Sequence, residues 1–175
     1  MSRFAALLST AILGLGVATI PSAAHATQTI DCSGGPGTIT ESTEDYVLVG
    51  DCSEVDVNAS NVTIRMESAT RLRITGANVR VTSTGPIGTL VLTDAVSTVI
   101  APRTETAKVL SSNVKLRIDT LGSLLVKGAN NTVRATQGDT AKVRGSNNRL
   151  TYDRLDALTI KGANNHAVVR KGRTS

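Results

Sequence analysis

Five basic residues recur at positions that suit the binding of an anionic partner. Lys127, Arg144 and Lys161 are seventeen residues apart. Lys142 lies two residues before Arg144, and Lys108 lies two residues before Leu110, which is seventeen residues before Lys127. Ammonium and guanidinium groups attract carboxylate, sulfate and phosphate groups, so this pattern predicts a site for an anionic envelope polymer or an acidic protein surface. A solvated surface that only keeps the protein soluble is the alternative.

The sequence offers little for catalysis, metal binding or base recognition. His166 is the one histidine beyond the N-terminal segment of residues 1–26, and no Ser-His-Asp set, Cys/His metal set or phosphate-binding glycine loop is present. Tyr46 and Tyr152 are the only aromatic residues after that segment, which weighs against stacking on sugars or bases. We therefore predict no catalytic residues, no cofactor, no bound metal and no nucleic-acid partner. A small polysaccharide-active enzyme is the alternative function.

The N-terminal residues predict export. Arg3 precedes the apolar run FAALLSTAILGLGVATI, and SAAHA then ends in the small-x-small pattern of a cleavage site. This arrangement is typical of a secretory signal peptide, here residues 1–26, cleaved after Ala26. A membrane anchor is the alternative, although the run contains Gly14 and Gly16 and no second apolar span follows. We expect a secreted, envelope or periplasmic protein without a transmembrane span after cleavage.

Cys32 and Cys52 are the two cysteines of the chain. In an exported protein such a pair predicts a disulfide, which would stabilise the fold by about 3 kcal/mol on the chain-entropy model. A redox or metal pair is the alternative, but the spacing is not a short C-x-x-C. Residues 27–56 do not match well the seventeen-residue repeat of the remaining chain. We therefore interpret them as an N-terminal cap held by this bridge.

A seventeen-residue repeat runs through most of the chain. Its clearest copies are VKGANN at Val126, VRGSNN at Val143 and IKGANN at Ile160. Weaker copies begin at Val57, Ile74, Leu92 and Val109. The first residue of every copy is aliphatic. Along the chain from one copy to the next, polar and apolar residues alternate, which predicts short β-strands.

The regular register of these columns predicts an all-β, single-domain parallel β-helix, or β-solenoid. We expect about seven coils of seventeen residues over residues 57–169, with three short strands per coil. Strands lie about 4.8 Å apart, so the rod would be roughly 30 Å long. An antiparallel sandwich also has many short strands, but it does not predict such a register.

The Gly-x-Asn-Asn motif is interpreted as a corner of each coil rather than as a ligand-binding loop. The small residue leaves room for a bend, and the first Asn tolerates a left-handed backbone. Stacked amides could also hydrogen-bond from coil to coil, at about 1 kcal/mol each. The predicted structural Asn ladder is Asn61, Asn78, Asn113, Asn130, Asn147 and Asn164. The second Asn, at Asn131, Asn148 and Asn165, is expected to point outward or lie at the corner.

These G-x-N-N-x-V repeats, the signal peptide and the N-terminal cysteine pair resemble a group of secreted actinobacterial proteins. The group is catalogued only as a domain of unknown function (number three thousand and sixty). The resemblance runs from about Ile30 to Val169 and is weakest at Leu92, where TDAVST lacks the Gly and the Asn. It implies a β-solenoid and an exported location, and it transfers no catalytic residues.

The charge is divided unevenly along the predicted rod. Residues 27–107 contain five Lys/Arg and ten Asp/Glu, a net charge of −5, whereas residues 108–175 contain thirteen and four, a net charge of +9. Outward residues two apart point to one face, so the first five cations should form one strip. A second strip is predicted from Lys115, Arg117, Arg134 and Arg149.

The sequence predicts a non-enzymatic protein with a structural or adhesive role and a basic binding face. The basic tail, residues 170–175, would discourage pairing at the open end of the solenoid. End-to-end self-assembly through an incompletely capped last coil is a further possibility. The sequence does not determine the oligomeric state.

Overall fold

The computed structural model describes residues 27–93 and 96–172, so the predicted signal peptide lies outside the described residues. The described chain is all-β, and it contains no helix that could span a bilayer. Its strands are β1 (Thr27–Asp31), β2 (Pro36–Ile39), β3 (Asp45–Val57), β4 (Thr63–Ile74), β5 (Arg80–Ser83), β6 (Ile87–Leu92), β7 (Thr98–Val109), β8 (Lys115–Val126), β9 (Thr132–Val143), β10 (Arg149–Ile160) and β11 (His166–Gly172).

Within the described chain, strands of adjacent coils pair in parallel, and the strands of the first and last coils pair on one side only. Strands β8, β9 and β10 keep a constant offset of seventeen residues, as in the pairing of Arg149 with Thr132 and of Thr132 with Lys115. Strands β1 and β2 form coil one, β3 coil two, β4 coil three, β5 and β6 coil four, and β7 to β10 coils five to eight. Strand β11 begins coil nine. This confirms the predicted parallel β-solenoid.

The long strands bend twice within each coil. In β10 the residues paired with β9 fall into three groups, 149–152, 154–155 and 157–160, separated by Asp153 and Asp156. We name these groups and their equivalents in other coils the first, second and third faces. The Gly-x-Asn-Asn corner then connects the third face to the first face of the next coil. The arrangement agrees with the prediction of three short strands per coil.

Aliphatic side chains fill the inside of the solenoid. The two main predicted columns are buried from coil to coil, and Val143 on the third face and Val133 on the first are fully buried. Burial of each such side chain contributes roughly 1.5–3 kcal/mol, and alternation places the polar neighbours outside. The buried columns are Val57, Ile74, Leu92, Val109, Val126 and Val143, and Ile64, Val81, Val99, Leu116, Val133 and Leu150.

Tyr152 is a polar exception inside the last full coil. Its ring is fully buried, and an added Cβ at Gly138 would lie 2.6 Å from its Cε1 atom, so the glycine leaves room for the ring. The Tyr152 hydroxyl has no hydrogen-bond partner among the described residues. Burial raises the pKa of this hydroxyl far above its usual range, because the charged phenolate would be poorly solvated there.

The solenoid extends beyond the predicted range of residues 57–169 at both ends. Residues 27–56, predicted as a cap, form most of coils one and two, which belong to the same sheet. Their steps are eighteen residues, as in the pairing of Thr27 with Asp45, and the register shifts between Leu48 and Asp51. That irregularity hid them from a seventeen-residue period. At the other end, Arg170 and Lys171 lie in β11 rather than in a separate tail.

The predicted disulfide is present at the N-terminal end of the rod. Cys32 and Cys52 are bonded, with a Cα–Cα distance of 5.1 Å, and both are buried. Cys32 follows β1 in coil one and Cys52 lies in β3 of coil two. The bridge therefore joins the first coil to the second.

Candidate anion-binding surface

The first Asn of the corner motif provides backbone geometry rather than a hydrogen-bonded ladder. Asn130 and Asn147 both have a φ of 56°, in the left-handed region, as predicted. Their side chains are exposed and make no hydrogen bond within the described chain. In this column Asn78 alone bonds an Asn above or below it, since its Nδ2 donates to Asn61 Oδ1 at 2.9 Å. The predicted structural ladder is therefore wrong beyond that pair, because the turn directs these side chains to solvent.

The second Asn forms the ladder instead: it lies at the corner, one of the two predicted placements, and it does not point outward. Asn131 and Asn148 are buried. Asn131 Oδ1 accepts from the Val114 amide at 2.8 Å, and Asn148 Oδ1 accepts from the Asn131 amide at 2.9 Å. Asn165 continues the series by accepting from the Asn148 amide at 3.0 Å. Each side-chain oxygen thus accepts a hydrogen bond from a backbone amide of the preceding coil.

The glycine and the second Asn act on the same carbonyl group. An added Cβ at Gly145 would overlap the Gly128 carbonyl oxygen of the coil below, so this position has no room for a side chain. Asn148 Nδ2 donates to that same oxygen at 3.1 Å. The glycine lets the carbonyl approach, and the Asn satisfies it; an unsatisfied buried carbonyl costs about 1–3 kcal/mol. This corner fixes the two flanking faces on which the cations lie.

The first basic strip follows the third face and the start of the corner. Its members are Lys108, Lys127, Lys142, Arg144 and Lys161, all of which are exposed. Lys108 and Lys142 project outward between buried neighbours of β7 and β9, and Lys127 follows β8 directly. Four members line one shallow depression of about 340 Å³, and Lys161 continues the column one coil further on. The structure therefore brings the predicted residues to one surface.

The second basic strip lies on the first face, across the Asn corner from the first strip. Its members are Lys115, Arg117, Arg134 and Arg149, which line a depression of about 530 Å³. Arg117 and Arg134 are direct neighbours on β8 and β9. Adjacent strands lie about 4.8 Å apart, so these two guanidinium-bearing chains are adjacent along the rod.

No member of either strip forms an ion pair within the described part of the chain. The ion pairs found among residues 27–93 and 96–172 join Arg71 to Glu54 and Arg170 to Asp153, and they include no member of either strip. Like charges on neighbouring strands repel each other. The depression of the first strip is lined by cations without an acid, whereas exposed carboxylates lie near Arg117 and Arg134 of the second strip.

The carboxylates of this half lie mainly at the bends bordering the second face. Asp119 and Asp153 contribute to one depression with Arg117, Arg134 and Arg170, and both carboxylates are exposed. Asp153 is paired with Arg170 at 3.0 Å. His166 is exposed, and no group of three or more His, Cys, Asp or Glu in the described residues could hold a metal ion.

The fold and surface define a β-solenoid with Asn-bonded corners and a basic C-terminal half. Residues 126–175 match the family described as "Protein of unknown function (DUF3060)". This confirms the resemblance over the repeats where the Gly-x-Asn-Asn motif is clearest, whereas the sequence predicted it from Ile30 onward. No curated protein and no solved structure matches the chain.

Proposed function

We propose that this protein is an exported, non-enzymatic β-solenoid that binds an anionic polymer through its basic C-terminal half. Its role is structural or adhesive, in the cell envelope or outside the cell. One observation carries the proposal: two strips of exposed cations flank the same corner over coils five to eight, without carboxylate partners among the described residues. Such a surface attracts polyanions and gains from neutralisation by them.

The spacing of the cations favours an extended polymer over a folded acidic protein. Lys127, Arg144 and Lys161 occupy successive coils, so their backbones repeat at about 4.8 Å along the rod. Lys108 and Lys142 are two coils apart, at about twice that distance. A chain with one carboxylate, sulfate or phosphate in each unit could contact several of them at once. Each exposed ion pair contributes only about 0.2–1 kcal/mol, so useful affinity requires many contacts on one molecule.

Export is supported by the N-terminal sequence and by the disulfide. Disulfides persist in oxidising compartments outside the cytosol, and Cys32 and Cys52 form one. A polymer of the cell envelope would be accessible there. The expected location is therefore the envelope, the periplasm or the extracellular space.

The arrangement of the acids supports a binding protein rather than a polysaccharide-active enzyme. Asp119 and Asp153 share an open depression, but both are exposed and Asp153 is paired with Arg170. A general acid usually lies in a buried site that excludes water, whereas both of these carboxylates are exposed. Release of reducing ends from envelope polysaccharides, lost in Asp153→Asn, would contradict the non-enzymatic proposal.

The test is binding of the protein to purified envelope fractions of its source organism at low and high salt. We expect binding at low salt, loss at high salt, and at least tenfold weaker binding for Lys127→Glu/Arg144→Glu. Treatment of the fraction with protease separates the two ligand classes. Retained binding supports a polymer, and lost binding indicates an acidic protein.

A matched control reverses two cations of the other half. Arg65→Glu/Arg73→Glu changes the net charge equally, at exposed outward positions of β4. This variant should keep most of its binding. Equal losses in both variants would show that net charge alone, rather than the basic strips, controls binding.

A further inference from the structure

One depression beside the second basic strip contains acids as well as cations. It lies at the bend between the first and second faces of coils six to eight, and we name it the mixed depression. Its charged members are Arg117, Arg134 and Arg170 with Asp119 and Asp153, a net charge of +1. The depression of the first strip has four cations and no acid, a net charge of +4. A ligand of the mixed depression should therefore carry its negative charges further apart.

The polar residues of the mixed depression form two outward columns. Arg117 and Arg134 are neighbours on β8 and β9, and Thr151 continues their column on β10. The second column lies two residues further along the same strands and consists of Asp119, Thr136 and Asp153. Positions two apart on a strand are separated by roughly 6–7 Å, and successive coils by about 4.8 Å. The depression thus has cations on one side and acids with a hydroxyl on the other.

Several charges in the mixed depression face each other without pairing. Arg117, Arg134 and Asp119 are exposed, and none of them forms an ion pair within the described residues. Asp153 is paired with Arg170 instead. A guanidinium group can only donate hydrogen bonds, and a carboxylate can only accept them. A ligand that displaces water here must therefore present an anionic acceptor to the arginines and a donor to Asp119.

Sugar hydroxyl groups are the donors that suit this arrangement. Thr136 is exposed and Thr151 is half-buried, and their hydroxyl groups can donate to a sugar or accept from it. A phosphate chain offers acceptors alone and would be repelled by Asp119, and an acidic peptide offers N–H donors only from its backbone. Hydrogen bonding of this kind requires no aromatic platform. The depression has a volume of about 550 Å³, within the usual range for small-ligand sites.

We propose that the mixed depression binds uronic-acid units of an acidic polysaccharide. The sugar carboxylate pairs with Arg117 and Arg134, and ring hydroxyl groups donate to Asp119 and exchange hydrogen bonds with Thr136. This inference rests on the proposed function, because it names the class of polymer that the basic half binds. Asp119 is then a specificity-determining residue: it repels polyanions in general and favours those with hydroxyl groups beside the charge.

The test measures Asp119→Ala against two polymers with the same number of carboxylates, polygalacturonate and polyglutamate, at low salt. Loss of the acceptor should weaken polygalacturonate binding at least threefold. The same change removes a like charge, so binding of polyglutamate should become tighter. Charge attraction alone predicts tighter binding of both polymers. That result, or an unchanged affinity for polygalacturonate, would overturn the proposal.

Asp139→Ala is the matched control. Asp139 is an exposed acid of β9 at the other bend of coil seven, outside the mixed depression, and its removal changes the net charge equally. This variant should bind polygalacturonate at least as tightly as the parent. Equal weakening in Asp119→Ala and Asp139→Ala would overturn the assignment of Asp119 to the sugar.

The two proposals can fail separately. Lys127→Glu/Arg144→Glu should weaken binding of both polymers, because it reverses cations of the first strip. If it does so while polyglutamate binds the parent as tightly as polygalacturonate, the basic surface stands, the uronic-acid assignment is overturned, and an acidic protein becomes the ligand. Absence of polygalacturonate binding would also overturn the assignment, whereas the envelope-fraction experiment tests the proposed function independently.

Discussion

Coils two to four and coils six to eight have the same corner geometry but different residues inside it. Asn61 and Asn147 have nearly the same φ, 57° and 56°. The residue that follows is a buried valine in the early coils, Val62, and a hydrogen-bonded asparagine in the later ones, Asn148. The backbone turn thus does not depend on the Asn ladder. The ladder is a second way to fill the same corner.

The outward columns differ more than the corners. The chain has a net charge of −5 over residues 27–107 and +9 over residues 108–175. Packing controls the inward positions, whereas outward positions can vary with little effect on the fold. A uniform scaffold therefore carries two different surfaces. This difference indicates that the inward columns determine the fold, whereas the outward columns determine the surface charge.

The largest expected effect is from a charge placed inside the solenoid. Val133→Asp puts a carboxylate at a fully buried position, and it should lower the free energy of unfolding by about 4 kcal/mol or more. Urea unfolding measures the change. Arg134→Asp, at the exposed position next to it, is the control and should change stability by less than about 1 kcal/mol. Equal stability of the two variants would contradict the assignment of inward and outward columns.

Removal of the disulfide should have the next largest effect. Cys32→Ser/Cys52→Ser releases a loop with a sequence separation of 20 residues, and it should cost about 3 kcal/mol. Urea unfolding with and without reductant provides the measurement. Reductant should change the parent and leave the double variant unchanged. If the parent is insensitive to complete reduction, the bridge does not stabilise the N-terminal coils.

The two asparagines of one corner should differ in cost. Asn148→Ala leaves the Gly128 carbonyl and the Asn131 amide without their side-chain partner, which should cost about 2–3 kcal/mol. Asn147→Ala keeps those bonds and adds only the strain of a left-handed alanine, about 1 kcal/mol. Thermal unfolding of both variants measures the two losses of stability. A larger loss for Asn147→Ala would reverse the roles assigned here.

The smallest expected effect concerns the buried Tyr152 hydroxyl. Tyr152→Phe removes an unpartnered polar atom, so the free energy of unfolding at pH 7 should stay within about 1 kcal/mol of the parent or rise slightly. The folded-state pKa of Tyr152 is raised, so its contribution to stability is fully present below the unfolded pKa of about 10 and declines above it. The variant should therefore lose less stability between pH 9 and about pH 11. An unchanged dependence on pH would show that the hydroxyl reaches solvent in the native state.

The fold was predictable because the aliphatic columns repeat at one period and lie inward in almost every coil. The first two coils were missed because their steps are eighteen residues and β3 contains an irregularity. The roles of the two asparagines could not be separated, since the sequence gives their order but not the direction of each side chain. A signal was nevertheless present: Asn131 occupies a column that is Val62, Val79 and Val114 in earlier coils, all of them buried.

The basic strips were predictable because outward positions follow directly from the alternation of the strands. Lys108 and Lys142 lie two residues before the column of Arg144, and the structure brings them to one depression.

The most direct test of the basic surface is the salt dependence of binding to one defined polyanion. Fluorescence anisotropy of a labelled sulfated polysaccharide would be measured from low to high salt for the parent, Lys127→Glu/Arg144→Glu and Arg65→Glu/Arg73→Glu. Cations of the protein that contact the polymer release its counterions. The slope of log affinity against log salt concentration therefore reports how many cations make contact. We expect a shallower slope and at least tenfold weaker binding only for Lys127→Glu/Arg144→Glu. Equal slopes and equal affinities in all three proteins would contradict a binding site on the basic C-terminal half.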